Sequence, residues 1–119
     1  KPGILHGALM QVLQDEYGQI KSSKTRAAGL NYPGRGPQIC YLYDTGRMRV
    51  GYAFDEEVFE AVKVMCQTEG LIPALETAHA IAYMLNHKEE FYGDEVIVLN
   101  YSGRGDKDLE VITRRFYGD

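Results

Sequence analysis

The chain has 119 residues, 45% hydrophobic and 25% charged, a composition that fits one globular domain with a modest core. Its net charge is −4, and no cluster of Lys and Arg interleaves with aromatics, so nucleic acid finds no electrostatic footprint. No apolar run approaches the length of a membrane span, and the opening residues carry no signal-peptide pattern. The two cysteines, Cys40 and Cys66, lie too far apart to suggest a metal knuckle or a redox pair. Both are expected to be buried, reduced thiols of a cytoplasmic protein.

Taken in chain order, the sequence opens "KPGILHGALM", a turn-like Pro-Gly start without an initiator Met that reads as the continuation of something longer. Residues 6–23 suggest a hairpin or a helix-turn-strand, with turn chemistry from Asp15 to Gly18. "RAAGLNYPGRGPQ" (26–38) holds three glycines and two prolines and is expected to be a loop, long enough to be functional. "ICYLYDTG" predicts a short helix stopped at Gly46, and "MRVGYAF" (48–54) a buried strand. Asp55 is a suitable N-cap for the next helix, and Glu56 and Glu57 put negative charge in its first turn. Val58, Phe59, Val62, Met65 and Cys66 form its apolar stripe, and Gly70 ends it. Pro73 suits the first turn of a second helix, whose Ala74, Ala78, Ala80 and Ala82 allow close approach of a neighbour. A strand over 95–100 and a final helix from about Asp106 complete an alternating pattern. Such alternation predicts an α/β layer architecture with largely parallel strands and packed helices.

Three stretches could carry chemistry. In "LNYSGRGDKD" (99–108) a strand turns through Gly103 and Gly105 into a helix, presenting free backbone N–H groups where a phosphate could sit. Neither a Walker loop nor a full G-x-G-x-x-G is present, and Asp106 and Asp108 would repel an anion, so they could equally cap the last helix. Ser102 stands where α/β sheets place their ligands, and its hydroxyl exchanges one hydrogen bond without bringing charge. In "EGLIPALETAH", Glu69 and Glu76 are acid–base candidates, and Glu76 shares a face with His79. The plainer reading is a helix-start carboxylate and a satisfied histidine; no third ligand at zinc spacing accompanies them. In "AAGLNYPGRGP", Gly29, Gly34 and Gly36 suggest close backbone approach, either around a cation or in a tight surface connection. No nucleophile stands beside a base, and no lysine sits in a context that would depress its pKa.

"GLNYPGRGP", "EGLIPALETAHA" and "LNYSGRGDKD", in that order and at these separations, closely resemble the C-terminal third of the tryptophan synthase β subunit. The resemblance runs over essentially the whole chain. It implies the C-terminal part of a fold type II pyridoxal-phosphate enzyme, spanning residues 1–119 as one segment. It also implies a lyase of tryptophan biosynthesis that replaces the hydroxyl of L-serine with indole. Ser102 matches the serine that hydrogen-bonds the pyridine nitrogen of pyridoxal 5'-phosphate. A neutral hydroxyl there leaves the nitrogen largely unprotonated, which favours β-elimination and replacement over transamination. Gly103 adjoins the same ring, and Glu76 matches a carboxylate close to it. Gly29 and Asn31 belong to the loop flanking the substrate, and Leu5 and His6 match residues lining the indole passage. The backbone carbonyls of Tyr32 and Gly34 match positions that help bind an activating monovalent cation.

Three positions depart from the family pattern. Asn31 stands where an Asp contacts the serine hydroxyl and pairs with an Arg on closure. Ala27 replaces a usual Ser, and Arg35 replaces a small apolar residue after Gly34. The family's Schiff-base lysine, phosphate-cradling loop and α-subunit contact region have no counterpart here. The expectation is therefore a divided β subunit. A complementary N-terminal chain would carry the lysine and phosphate loop, and two split units would assemble. The tryptophan synthase α subunit is a further candidate partner, and the isolated chain should be inactive. The alternatives are a non-catalytic binding or scaffolding domain derived from the same fold, and a small flavodoxin-like nucleotide binder.

Overall fold

The computed structural model describes residues 1–118. It divides into two compact units, one ending at Gly51 and the other beginning at Tyr52.

The first unit is built on a hairpin of β1 (Pro2–Leu5) and β2 (Ala8–Gln11), antiparallel, with Leu5 opposite Ala8. His6 and Gly7 form its tip at φ 51° and 77°, the two positive angles of a type I′ turn. The turn expected at Asp15–Gly18 is present: the Asp15 carboxylate accepts the N–H groups of Tyr17 and Gln19 at 2.9 and 2.8 Å. Residues 26–38, expected as a loop, hold a 3-10 turn over Ala28–Leu30, then an antiparallel bridge between Gly34 and Val12. Helix α1 (Pro37–Asp44) follows and stops at Gly46, φ 71°, as the sequence suggests. Met10, Val12 and Cys40 form the core here, with Leu5 and Ala8 packed against it.

The second unit is helical. In α2 (Asp55–Glu69) the Glu57 carboxylate accepts the Phe54 N–H at 2.6 Å, so the acid one turn in caps the helix start. Asp55, expected as the N-cap, is instead the first helical residue. Val58, Phe59, Ala61 and Val62 are buried, but Cys66 is exposed, contrary to expectation. Val64 and Met65 just before it are half-buried, and residues 66–70 are exposed. Helix α3 (Leu75–Asn86) packs along α2 through Ala78, Ile81 and Ala82, while Ala80 points to solvent. Pro73 is buried two residues ahead of the helix and not inside its first turn. Each of Val58, Val62 and Leu75, almost fully buried, contributes about 1.5–3 kcal/mol. A 3-10 turn over Gly105–Asp108 leads into α4 (Leu109–Tyr117). There Ile112 is buried, and Phe116 meets Phe59 edge-on at 6.2 Å.

The mixture of helix and strand is as expected; parallel strands are not found among the described residues. Among the described residues the sheet is the β1–β2 hairpin, and it is antiparallel. Residues 48–54 and 95–100 form no strand, and Val96 and Val98 are each 89% exposed. Their residue types suit a sheet, but a strand exists only when a neighbour pairs with its backbone.

Gly70 ends α2 at φ 67° with open space around it, so only its backbone conformation demands glycine. Gly70→Ala should cost about 1 kcal/mol in urea unfolding. Gly36 is the N-cap of α1, at φ −57° with equally open surroundings, so Gly36→Ala meets no strain and should cost under about 1 kcal/mol, through weaker capping alone.

Candidate functional site

The residues singled out by sequence fall into two groups, one in each unit. Ser102 and Gly103 lie in the second, where the loop 100–108 packs against the start of α3, the helix that carries Glu76. Gly105 makes this possible. A Cβ there would stand 2.1 Å from the Ile72 carbonyl oxygen, so any side chain would push the loop away. Gly103 takes φ 71°, and a Cβ built there would lie 3.5 Å from the Ala74 methyl, an ordinary van der Waals contact.

Thr77, one residue after Glu76 and buried, fixes Ser102. Its hydroxyl donates to the Ser102 carbonyl at 2.8 Å and lies 3.3 Å from the Ser102 Oγ. A hydroxyl has one proton, and the shorter bond takes Thr77's. Across the longer contact the Ser102 hydroxyl is therefore the donor, and its proton is available to a better acceptor at this exposed position. Beside it, the Tyr101 phenol is pushed above its ordinary value, first by partial burial and then by the nearby Cys66, and stays neutral.

Asp108 is the buried acid of this group. Its Oδ2 accepts the Leu75 N–H at 2.9 Å and the Lys107 ammonium at 2.7 Å. The capping suggested for the C-terminal acids is real, but it serves α3; no side-chain bond caps α4. Lys107 reaches onward to Glu76 Oε2 at 2.9 Å, so one ammonium joins two carboxylates. Burial alone would lower the Lys107 pKa; hydrogen bonds to Asp108 and Glu76, and their charges, outweigh it and hold the group above its usual 10.5. Asp106, Asp108 and Glu110 stand around the last helix start, and their charge opposes an anion there. His79 Nδ1 lies 2.7 Å from the Leu75 carbonyl, the satisfied histidine of the plainer reading.

In the first unit, His6 Nδ1 lies 2.8 Å from the Tyr32 hydroxyl, with the two rings 5.6 Å apart. Gly34 is buried beneath them. A Cβ there would lie 2.4 Å from Met10 Sδ and 3.2 Å from Leu5 Cδ2 and Tyr32 Cε1, so Leu5, Tyr32 and Gly34 are packed together. Gly29 lies within the 3-10 turn, and Asn31 ends it as an exposed residue whose N–H reaches the Ala28 carbonyl. The carbonyls of Tyr32 and Gly34 both accept from one guanidinium nitrogen, Nη1 of Arg35, at 2.9 and 3.0 Å. A monovalent cation centred on that point would have to displace the guanidinium nitrogen.

Sequence reasoning missed Thr77, Lys107 and Asp108 as positioning residues. The signal was present in part, since a Thr follows the singled-out Glu, but which loop these residues meet is set by the fold. Among the described residues no group of three His, Cys, Asp or Glu side chains is placed to hold a metal ion, and no helix is long and apolar enough to cross a membrane. No family model matches the chain.

The Lys107 network has a pH signature. A base whose folded pKa is raised adds stability that is complete below its unfolded value and lost as pH climbs through the folded one. Lys107→Met also removes the ammonium that Glu76 and Asp108 share. The stability gap between wild type and Lys107→Met should therefore be largest near neutral pH and shrink above about pH 10.5. Urea melts of both proteins from pH 7 to 11 measure this.

Proposed function

We propose that this chain is the C-terminal portion of a tryptophan synthase β-type enzyme. A complementary N-terminal chain would carry the Schiff-base lysine and the phosphate loop, and the tryptophan synthase α subunit is a further candidate partner. The reaction joins L-serine and indole: the serine β-hydroxyl leaves as water, the Cβ bonds to indole C3, and C3 gives up its proton. The observation that supports this reading is the placement of Ser102. Its hydroxyl is exposed, oriented by the buried Thr77, and offers a proton without a formal charge, beside a helix start that carries Glu76.

Pyridoxal phosphate, when bound, supplies the electron sink for cleavage at the serine Cα and Cβ. Ser102 would donate to its ring nitrogen, with Gly103 allowing the ring to approach. Glu76, half-buried and tied to Lys107, would present a carboxylate held in one orientation. In the first unit, Leu5 and His6 would line the side from which indole arrives. Gly29 and Asn31 would flank the serine substrate, with Asn31 offering hydrogen bonds to its hydroxyl and no charge.

Mixing the chain with the complementary N-terminal β portion should shift the pyridoxal-phosphate absorbance and produce tryptophan from serine and indole; neither chain alone should do so. Covalent capture of the cofactor by the isolated chain would overturn the proposal. Failure of the mixture to bind cofactor, with both chains folded, would favour the non-catalytic binding domain. In the active mixture Ser102→Asp, which would hold the ring nitrogen protonated, should divert turnover to side products, read as a fall in the ratio of tryptophan to pyruvate.

A further inference from the structure

We propose that Arg35 is a built-in replacement for a bound monovalent cation: its guanidinium supplies the positive charge to the Tyr32 and Gly34 carbonyls that an alkali ion would otherwise supply. The proposal deepens the function proposed above, because it assigns that enzyme's activating charge to the polypeptide. Its basis is geometric. One nitrogen, Nη1, donates to both oxygens, at 2.9 and 3.0 Å. Both carbonyls face one point, and carbonyl oxygen is a ligand type that hard cations take. A guanidinium occupying that point satisfies both without any ion.

The backbone around Arg35 is fixed independently of its side chain. Its N–H donates to the Gln11 carbonyl at 3.0 Å, and its carbonyl accepts from the buried Cys40 thiol at 3.2 Å. Cys40 in turn accepts the Gln11 N–H at 3.1 Å, so this position is locked between β2 and the start of α1. On the other side, Leu13 donates to the Pro33 carbonyl at 2.8 Å. Buried Gly34 leaves no room for a side chain, which sets the path of the chain between the two carbonyls. The guanidinium therefore closes on a frame that other bonds have already made, and little ordering is left to pay when it docks.

A cation competing for the same oxygens must displace Nη1 while its charge remains nearby, and like charges at that separation oppose binding. The chain should consequently be indifferent to which alkali ion is present, and removing the guanidinium should make it selective. The test compares thermal melting of wild type and Arg35→Ala in the chlorides of sodium, potassium, caesium and tetramethylammonium at equal ionic strength. Wild type should melt within about 1 °C in all four. Arg35→Ala should gain about 3 °C or more in at least one alkali salt over tetramethylammonium. Alkali-specific stabilisation of wild type would overturn the assignment, as would a folded Arg35→Ala that is equally indifferent. If Arg35→Ala does not fold, anomalous scattering from caesium-soaked wild-type crystals decides: a peak between the Tyr32 and Gly34 carbonyls refutes the proposal, and none there upholds it. These readouts need no cofactor, so loss of tryptophan formation would sink the enzymatic reading and leave the Arg35 assignment intact.

Discussion

The second unit depends on one buried carboxylate. Asp108 is 7% exposed, accepts the first free N–H of α3 and holds the ammonium of Lys107. A helix start buried without an acceptor leaves orphan donors, and an acid buried without a counter-ion is costlier still. Here each need is met by the other. The Asp108–Leu75 bond spans 33 residues of sequence, from the turn ahead of α4 to the first residue of α3. It holds the loop that carries Ser102 against the helix start that carries Glu76 and Thr77. Gly105 is the steric half of the same constraint, since only a hydrogen fits against the Ile72 carbonyl.

Chemistry at Ser102 follows from this frame. An exposed serine on a loop ordinarily samples several rotamers and bonds to water. Thr77 removes that freedom at both ends, by bonding the Ser102 carbonyl and standing within reach of its hydroxyl. Glu76 is similarly restrained, because its carboxylate is held by a lysine that is itself held by Asp108. Residues that would face a cofactor are thus oriented by residues that would not touch it, which is how a site keeps its geometry before its ligand arrives.

The helices were legible in the sequence because their signals are local. The stripe of Val58, Phe59 and Val62, the acidic first turn of α2 and Gly70 each depend on neighbours within a few positions. The position of Ser102 beside Glu76 was legible only through resemblance. Periodicity places one on a loop and the other on a helix, and says nothing of their meeting. Asp108 shows why: its type and position read naturally as a cap for the helix it precedes, yet it caps another. Arg35 shows the same limit, for the glycine-rich loop suggests carbonyls turned toward a cation, and its own side chain donates to two of them. Cys66 was misplaced because a stripe read every three or four residues does not reveal where the covering neighbour ends.

The strands were the larger discrepancy, and their failure is informative. Residues 96–99 carry apolar side chains at successive positions, so both faces of an extended segment there would be apolar. That is the pattern of a strand buried within a parallel sheet, not of one with a solvent face. In this chain Val96 and Val98 stand almost fully exposed, Ile97 is 47% exposed, and no backbone ladder forms. Residues 50–54 repeat the situation, with Val50, Tyr52 and Phe54 each more than half exposed. A helix satisfies its own backbone; a strand needs a neighbour, so α2 and α3 can form where residues 95–100 cannot. Under the proposed function the complementary chain supplies that neighbour, and the apolar segment it would pair with runs directly into Ser102. Ordering that segment would fix the approach to the serine hydroxyl, which couples completion of the sheet to completion of the cofactor site.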